Sequence, residues 1–225
     1  MSKKENIAVL FGGTGLIGGY LLEELIKDSQ IDKIILVGRR EPTIDHFKLS
    51  HKTIDLNDIS QIADCISKDS IVFSAIGATA TAVSGDLKTY RSVDYDITLN
   101  IARSCQVNKA RRFLYVSSSG ANAGSKNFYL GLKGEIDDQV TALNLASAVI
   151  LRPSLLLGKR KELRFWEKIG QIIMPLLTAL LPARLHPVKA QTVARFMIIL
   201  AKSKYSGATI IENPRILELR PKGSL

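Results

Sequence analysis

The sequence predicts an α/β protein built on a doubly wound parallel sheet. Apolar runs of strand length alternate with amphipathic runs of helical length, and a glycine cluster follows the first apolar run. Such alternation predicts parallel strands joined by right-handed crossovers, with ligands outside the carboxyl ends of the strands. The chain has 225 residues, 46% of them hydrophobic, and no shift in composition marks a linker. We therefore expect a single domain over residues 1–225.

The glycine cluster predicts a dinucleotide site. It lies between a strand-like run, Ile7 to Phe11, and a helical run, Leu16 to Ile26. Glycines here permit a tight turn, let backbone N–H groups approach a pyrophosphate at the positive end of the helix dipole, and let helix and strand pack closely. The predicted cofactor contacts are Gly12, Gly13, Thr14, Gly15, Leu16, Ile17 and Gly18. The alternative is a glycine-rich surface turn that binds nothing.

The residues after the second apolar run favour NADP(H) over NAD(H). Ile34 to Val37 predicts a strand, and Gly38-Arg39-Arg40 follows it. An NAD-specific site usually carries an acidic residue here for the ribose 2′-hydroxyl. Guanidinium groups instead bind a 2′-phosphate in a forked geometry. We predict that Arg39 and Arg40 make this contact, and a solvated strand end is the alternative.

Further elements follow in regular alternation. The long helix carries Val93, Ile97 and Ile101 at fourfold spacing on one face. A polar loop from Thr79 to Gly85 precedes it. The remaining predictions are strands over 51–56, 71–76, 112–117 and 148–151, and helices over 59–67, 89–107 and 129–143.

A tyrosine and a lysine four residues apart are the candidate catalytic pair. Tyr129 and Lys133 would share one face of a helix. The Lys133 ammonium would favour the phenolate of Tyr129, as general acid/base chemistry requires. A hydroxyl from Ser117, Ser118 or Ser119 would hold the substrate oxygen while a hydride moves to or from the adjacent carbon. The alternative is a packed tyrosine beside a solvated lysine.

The net charge of +10 is unevenly distributed. Residues 1–110 hold 13 basic and 14 acidic side chains, whereas residues 111–225 hold 18 and 7. The densest basic stretch, 159–168, suits an anionic substrate, an acidic lipid surface or a solvated helix face. Because no nucleic-acid motif accompanies it and aromatic residues are few, we predict no nucleic-acid partner.

Cysteine usage and the first residues favour a cytoplasmic protein. Cys65 and Cys105 lie in predicted helices at no disulfide or metal spacing. The apolar run before the glycines has five residues, too short for the core of an export signal. No cluster of His, Cys and carboxylate residues at metal-ligand spacing is seen, so we also predict no metal.

An apolar stripe at helical spacing runs from Ile169 to Leu181, with Pro175 interrupting it and Pro182 ending it. Its uninterrupted part is about ten residues, short of the twenty or so that cross a bilayer. We predict no transmembrane segment. A lid over a hydrophobic substrate, a homodimer contact, a peripheral membrane contact and a kinked core helix remain open.

Together these residues resemble the short-chain dehydrogenase/reductase superfamily, and more narrowly its atypical members related to the HIV Tat-interactive protein, an NADP(H)-binding oxidoreductase-like family. The resemblance covers nearly the whole chain. The motifs that carry it are Gly12-Gly13-Thr14-Gly15-Leu16-Ile17-Gly18, Gly38-Arg39-Arg40, Ser117-Ser118 with Gly120-Ala121, Asn127-Phe128-Tyr129 with Lys133-Gly134-Glu135, Arg152-Pro153, and Ile211-Glu212-Asn213.

The resemblance implies a Rossmann-type fold with a small C-terminal substrate lobe over residues 154–225. Lys133 would also hydrogen-bond the nicotinamide ribose, and we choose Ser118 as the catalytic serine. The further cofactor contacts implied are Asp55 and Leu56 near the adenine, and Ala75, Ile76 and Gly77 beside the ribose and nicotinamide.

Two functions are consistent with these residues. The first is an NADP(H)-dependent carbonyl reductase or alcohol dehydrogenase, with Tyr129 as proton donor and acceptor, Lys133 as its tuner and Ser118 orienting a small-molecule substrate. The second is a protein that binds NADP(H) without turnover and signals redox state to a partner, because atypical superfamily members often lose activity. The retained Tyr129 and Lys133 favour the first.

Overall fold

The computed structural model describes residues 5–39, 41–42, 44–77, 86–158 and 182–218. The strands in this part of the chain are β1 (Ile7–Phe11), β2 (Lys33–Gly38), β3 (Leu49–Thr53), β4 (Ile71–Ser74), β5 (Arg112–Val116), β6 (Ser147–Arg152), β7 (Leu156–Leu157), β8 (Val188–Lys189) and β9 (Gly207–Glu212). The helices are α1 (Leu16–Lys27), α2 (Ile59–Ala63), α3 (Leu87–Arg91), α4 (Ile97–Val107), α5 (Phe128–Ala142), α6 (Ala190–Lys202) and α7 (Asn213–Leu217).

Seven of these strands form one parallel sheet in the order β3-β2-β1-β4-β5-β6-β9. The chain runs outward from β1 to β3 and then returns to β4 on the other side of β1. Strand order therefore reverses between β1 and β4, where sheets of this kind bind ligands. The predicted α/β, Rossmann-type fold with a doubly wound parallel sheet is confirmed.

Helices cover both faces of the sheet. Ala8 and Leu10 of β1 pack into the layer formed with α1, α6 and α7. Val9 and Phe11 pack into the layer formed with α2, α4 and α5. Alternate residues of β1 thus enter two separate cores, which is why the strand reads as a continuous apolar run.

Three predicted elements end at least two residues earlier in the structure: the strands over 51–56 and 71–76, and the helix over 59–67, which ends at Ala63. β3 begins at Leu49 and ends at Thr53, not at residues 51 and 56, because acidic side chains organise a turn after it. The Asp55 carboxylate accepts from the Asn57 N–H at 2.9 Å, and Asp58 caps α2 by accepting from the Ser60 N–H at 2.9 Å. β4 ends at Ser74, two residues before its predicted end.

The long helix predicted over 89–107 is divided. A π-helical turn over Ser92–Asp96 separates α3 from α4. A π-helical turn inserts one extra residue, which changes the face that the next helical residues present. Asp94 lies within this turn and is buried, although a polar residue in an ordinary surface helix would be solvated.

Some predictions fall on residues outside those described. These are Arg40, the polar loop over 79–85, the basic stretch 159–168 and the apolar stripe 169–181. The structure does add elements that the sequence analysis missed: β7 and β8, which pair with each other, and α6, β9 and α7. The substrate lobe over 154–225 stays a prediction, but α6 and β9 within that range belong to the main sheet and its helical layer.

Buried polar side chains fix the C-terminal elements. Asn213 donates through Nδ2 to the His186 carbonyl at 2.8 Å and accepts from the Ser154 N–H at 3.0 Å. At the opposite end of the sheet, the Arg112 guanidinium donates to the carbonyls of Ala201 and Tyr205 at 3.0 Å each. Arg112 thereby satisfies carbonyls at and beyond the C-terminus of α6.

Candidate functional site

The glycine turn closes directly against the end of β4. Gly12 has φ +82°, and a Cβ there would lie 2.7 Å from the Ala75 carbonyl carbon. The Gly15 N–H donates to the Gly12 carbonyl at 3.0 Å. A Cβ on Gly18 would lie 2.0 Å from that same Gly12 oxygen. Glycine is therefore required at positions 12 and 18 for the turn, the helix and the neighbouring strand end to meet this closely.

The start of α1 fits a phosphate. None of the described side chains caps this helix at Gly15, and its first turn contains no acidic residue. The first N–H groups of an α-helix lack intrahelical partners and lie at the positive end of its dipole. The backbone beside Gly12 and Gly18 is thus arranged to accept the pyrophosphate of a dinucleotide.

Other predicted cofactor residues cluster at this same edge of the sheet. Arg39 is exposed directly after β2, and Asp55 is exposed after β3. Leu56, Ala75 and Ile76 are half-buried, and Gly77 is exposed. The four strands β1 to β4 thus present their predicted contacts at their carboxyl ends, where the family resemblance places the cofactor. Each individual contact remains a prediction.

Lys133 is buried in an ion pair that the sequence analysis missed. Its Nζ lies 2.6 Å from Asp94 Oδ1, and the two side chains are only 4% and 1% exposed. An ideal Cβ on Gly77 would lie 3.9 Å from the same Asp94 oxygen. Lys133 is therefore beside the exit of β4, against which the glycine turn also packs. Tyr90 and Asp94 are four residues apart, as are Tyr129 and Lys133. This matching spacing could have suggested the contact between Asp94 and Lys133.

Tyr129 lies in the first turn of α5, where Asn127 caps the helix by accepting from the Leu130 N–H at 3.1 Å. The residue is 37% exposed. Its ring meets the Tyr90 ring edge to face, with 6.2 Å between centroids. Burial, the charge of Asp94 and the neighbouring Tyr129 raise the pKa of Tyr90, which keeps that second phenol protonated.

The three serines after β5 occupy different environments. Ser117 is buried, and within the described part of the chain its hydroxyl finds no hydrogen-bond partner. Ser119 donates to the Arg184 carbonyl at 3.0 Å, so its hydroxyl joins the C-terminal segment. Ser118 is half-buried, with only a 3.4 Å contact from its hydroxyl to the Ser119 carbonyl. The choice of Ser118 remains a prediction.

A second buried carboxylate lies one turn beyond Lys133. The Arg152 guanidinium donates from Nε to Asp137 at 2.7 Å and from Nη1 to Glu212 at 3.0 Å. Burial nevertheless raises the pKa of Asp137 to about 7. This cluster joins α5 to the ends of β6 and β9. In the sequence Arg152 stands out only within the Arg152-Pro153 motif, although Asp137 shares the helix face of Lys133.

We expect Asp137 to make folding stability depend on pH. Its pKa rises from 3.8 to about 7 on folding, so between these values the folded protein holds a proton that the unfolded chain releases. Stability therefore falls as pH rises through this window, by up to about 1.4 kcal/mol per pH unit. Asp137→Asn should flatten the decline in urea unfolding between pH 5 and pH 7. The exposed neighbour provides the control: Asp138→Asn should keep the decline, and equal slopes in both variants would refute the assignment.

Comparison with known proteins identifies the family. Residues 12–163 match the model of the family described as NAD(P)H-binding. The chain belongs to this NAD(P)H-binding family. The match includes the glycine turn, both partners of the Lys133–Asp94 pair and all three serines. The family match supports a nicotinamide cofactor. The choice of NADP over NAD and the narrower resemblance to the Tat-interactive proteins stay predictions.

Fungal proteins are among the curated relatives of this chain. "Protein FMP52, mitochondrial" of Candida glabrata is 34% identical over 164 residues, covering 72% of this chain and 68% of the relative. The Emericella nidulans protein of that name is 34% identical over 174 residues, covering 74% and 73%. The expected cytoplasmic location is therefore wrong, because these relatives are named as mitochondrial. Buried free cysteines could not separate one reducing compartment from another.

Several solved structures share this fold. A UDP-N-acetylglucosamine 4-epimerase from Methanobrevibacter ruminantium M1 matches with a TM-score of 0.71 at 19% identity, covering 96% of this chain and 81% of its own. MoeE5, solved with UDP-glucuronic acid and NAD, matches with a TM-score of 0.72 at 16% identity, covering 95% and 80%. At such identities the likeness shows the fold alone.

Of the helices that the structure describes, none has the length and hydrophobicity of a membrane span.

Proposed function

We propose that the protein is an NADP(H)-dependent oxidoreductase that interconverts a carbonyl and an alcohol. The observation that carries this proposal is the shared location of two independent features. The glycine turn packs on Ala75 at the end of β4, and Asp94, which holds Lys133, lies beside Gly77, two residues beyond that turn contact. A cofactor on the turn would therefore extend toward the helix that carries Tyr129.

In this proposal each side chain has a separate task. Hydride chemistry would come from the nicotinamide when it is bound. The glycine turn would bind the pyrophosphate, and Lys133 would hold the ribose hydroxyls. Tyr129 gives a proton to the carbonyl oxygen during reduction and takes it back during oxidation. Ser118 orients that oxygen by hydrogen bonding. Tyr129 is 37% exposed at the start of α5, a position that a substrate can reach.

The decisive test is turnover by the native chain. NADPH is incubated with the protein and a panel of aldehydes and ketones, including apolar and anionic ones, and loss of NADPH is followed by absorbance. Cofactor oxidation that depends on both protein and carbonyl supports the proposal. Absence of turnover across the panel, with NADPH bound, would overturn it.

The mitochondrial names of the relatives support that compartment for this chain as well, which cell fractionation tests.

A second function is favoured by one observation. The ammonium of Lys133 is already neutralised by Asp94 at 2.6 Å, an arrangement that suits holding a cofactor better than activating a phenol. A protein that reports redox state to a partner would need only to hold the cofactor. A native chain without turnover that binds its partner differently with NADPH and with NADP⁺ would support this second function.

We predict that NADPH binding depends on the two arginines after β2. Replacing Arg39 and Arg40 with alanine should weaken NADPH by about 10-fold to 100-fold and leave NADH nearly unchanged, because only NADPH carries the 2′-phosphate. Calorimetric titration measures both affinities. Lys33→Ala removes an exposed positive charge from the opposite end of β2 and should alter neither. Equal weakening of both nucleotides would remove the basis for choosing NADP(H).

A further inference from the structure

Two contacts link the segment before α4 to the first turns of α5. Tyr90 and Asp94 are four residues apart, as are Tyr129 and Lys133. The two tyrosine rings meet edge to face at 6.2 Å, and the two charged groups meet at 2.6 Å. The four side chains thus form two contacts between the same two elements, a ring pair that contains Tyr129 and an ion pair that contains Lys133. Because positions i and i+4 share one face of a helix, the net charge of the ion pair influences the phenol of Tyr129.

The Lys133–Asp94 ion pair is neutral as a whole. Both Lys133 and Asp94 are almost inaccessible to water, so little solvent screens the ammonium from its carboxylate. For a neighbouring group such as Tyr129, a cation and an anion separated by 2.6 Å act as a dipole and not as a full positive charge.

Neighbouring charges do not restore a positive field. Arg91 pairs with Glu135 across the two elements at 2.8 Å and also covers the Tyr95 ring at 4.2 Å. The raised pKa of Tyr90 leaves that phenol uncharged. Asp96, in the same π-helical turn as Asp94, is exposed to solvent. Of the charged side chains described on α3, on the π-helical turn and over residues 128–135 of α5, only those of Lys133 and Asp94 are buried, so solvent screens these two least.

We propose that Asp94 is a positioning residue that cancels the charge of Lys133 at Tyr129, so that the proton transfer of the reaction proposed above operates at a more alkaline pH than an unpaired lysine would set. Asp94 touches no reacting atom in this scheme. It acts through Lys133, holding the ammonium in place beside the exit of β4 while reducing the stabilisation that Tyr129 phenolate receives.

The test follows ionisation of Tyr129 without substrate. Phenolate absorbance is titrated with pH, and the signal of Tyr129 is obtained by subtracting the Tyr129→Phe protein. Asp94→Asn keeps the shape and a hydrogen bond to Lys133 but removes the negative charge, so the midpoint should fall by about one pH unit or more. Asp96→Asn removes the same charge from the same turn at an exposed position and should leave the midpoint unchanged. An unchanged midpoint in Asp94→Asn would overturn the proposal.

A neutral double variant provides a second measurement that does not depend on burying an unpaired cation. Replacing both partners, as Asp94→Asn with Lys133→Met, removes both charges, and neutral replacements of buried ion pairs often fold. If the native pair acts as a neutral unit, the Tyr129 midpoint should stay within about half a pH unit of native. A rise of more than about one unit would show that Lys133 acts as an uncompensated charge, which would overturn the proposal.

These titrations remain separate from the question of function. A lowered midpoint in Asp94→Asn together with an inert native chain would support the role of Asp94 and refute the oxidoreductase. Where turnover exists, the rising limb of the pH profile for alcohol oxidation should move down with the titration midpoint in Asp94→Asn. Movement of one without the other would contradict the link between Asp94 and the proton transfer.

Discussion

Replacing Gly18 with alanine is expected to abolish nucleotide binding. The added Cβ would lie 2.0 Å from the Gly12 carbonyl oxygen and 2.9 Å from the Gly13 Cα, both in the turn that would hold the pyrophosphate. Backbone atoms cannot yield as a flexible side chain can, so α1 must move away from the turn. We expect the affinity for NADPH to fall by about 100-fold or more in calorimetric titration.

The neighbouring glycine offers a matched control for this change. Gly19 lies in the same helix, and its nearest contact with an added Cβ is the Gly13 carbonyl oxygen at 3.8 Å, an ordinary distance. Gly19→Ala should therefore bind NADPH as the native chain does and be more stable by up to about 1 kcal/mol. Circular dichroism establishes that both variants fold. Native affinity in a folded Gly18→Ala protein would show that the turn is not the pyrophosphate site.

Removing the hydroxyl of Tyr129 is expected to have the second large effect. Tyr129→Phe keeps the ring and its edge-to-face contact with Tyr90, 6.2 Å between centroids, but loses the proton that the substrate oxygen requires. General acid/base catalysis contributes about 10²-fold to 10⁴-fold, so the turnover number should fall by that factor. The affinity for NADPH should stay the same, because the glycine turn that would bind the pyrophosphate is unchanged.

The same substitution on the neighbouring ring separates chemistry from packing. Tyr90→Phe also removes one hydroxyl from the aromatic pair, yet Tyr90 has no proton-transfer role in the proposed reaction. Its turnover should stay within a few-fold of native, measured with the carbonyl that the native chain reduces fastest. Comparable losses in Tyr90→Phe and Tyr129→Phe would indicate that both act by packing and would remove Tyr129 from its proposed role.

The parts of the fold that could be predicted from the sequence are those specified by nearby residues. The run Ile7–Phe11, the glycines after it and the amphipathic helix following them form one continuous unit, and β1, the turn and α1 lie there. The helix bearing Tyr129 was predicted for the same reason, with its apolar spacing and its cap both within a few residues. Strand ends were less accurate, because side-chain caps such as Asp58 compete with the sheet.

The features that the sequence analysis missed depend on partners from distant segments. The buried carboxylate of Asp94 is neutralised by Lys133, 39 residues later in the chain. Asp137 depends likewise on Arg152 from the next strand. Apolar periodicity carries no information about such pairs, since a buried charge and a solvated charge occupy the same kind of position in a helical pattern. β9 was not predicted, because it pairs with β6, from which a short strand pair and a helix separate it in the chain.

The late arrival of β9 matters during synthesis. All six residues of β6 have partners in β9, from Ser147 with Gly207 to Arg152 with Glu212. While a ribosome is still translating the intervening segment, that side of β6 presents unpaired amide and carbonyl groups from an apolar strand. The nascent polypeptide thus passes through a stage prone to intermolecular strand pairing, which ends once residues 207–212 have emerged and docked.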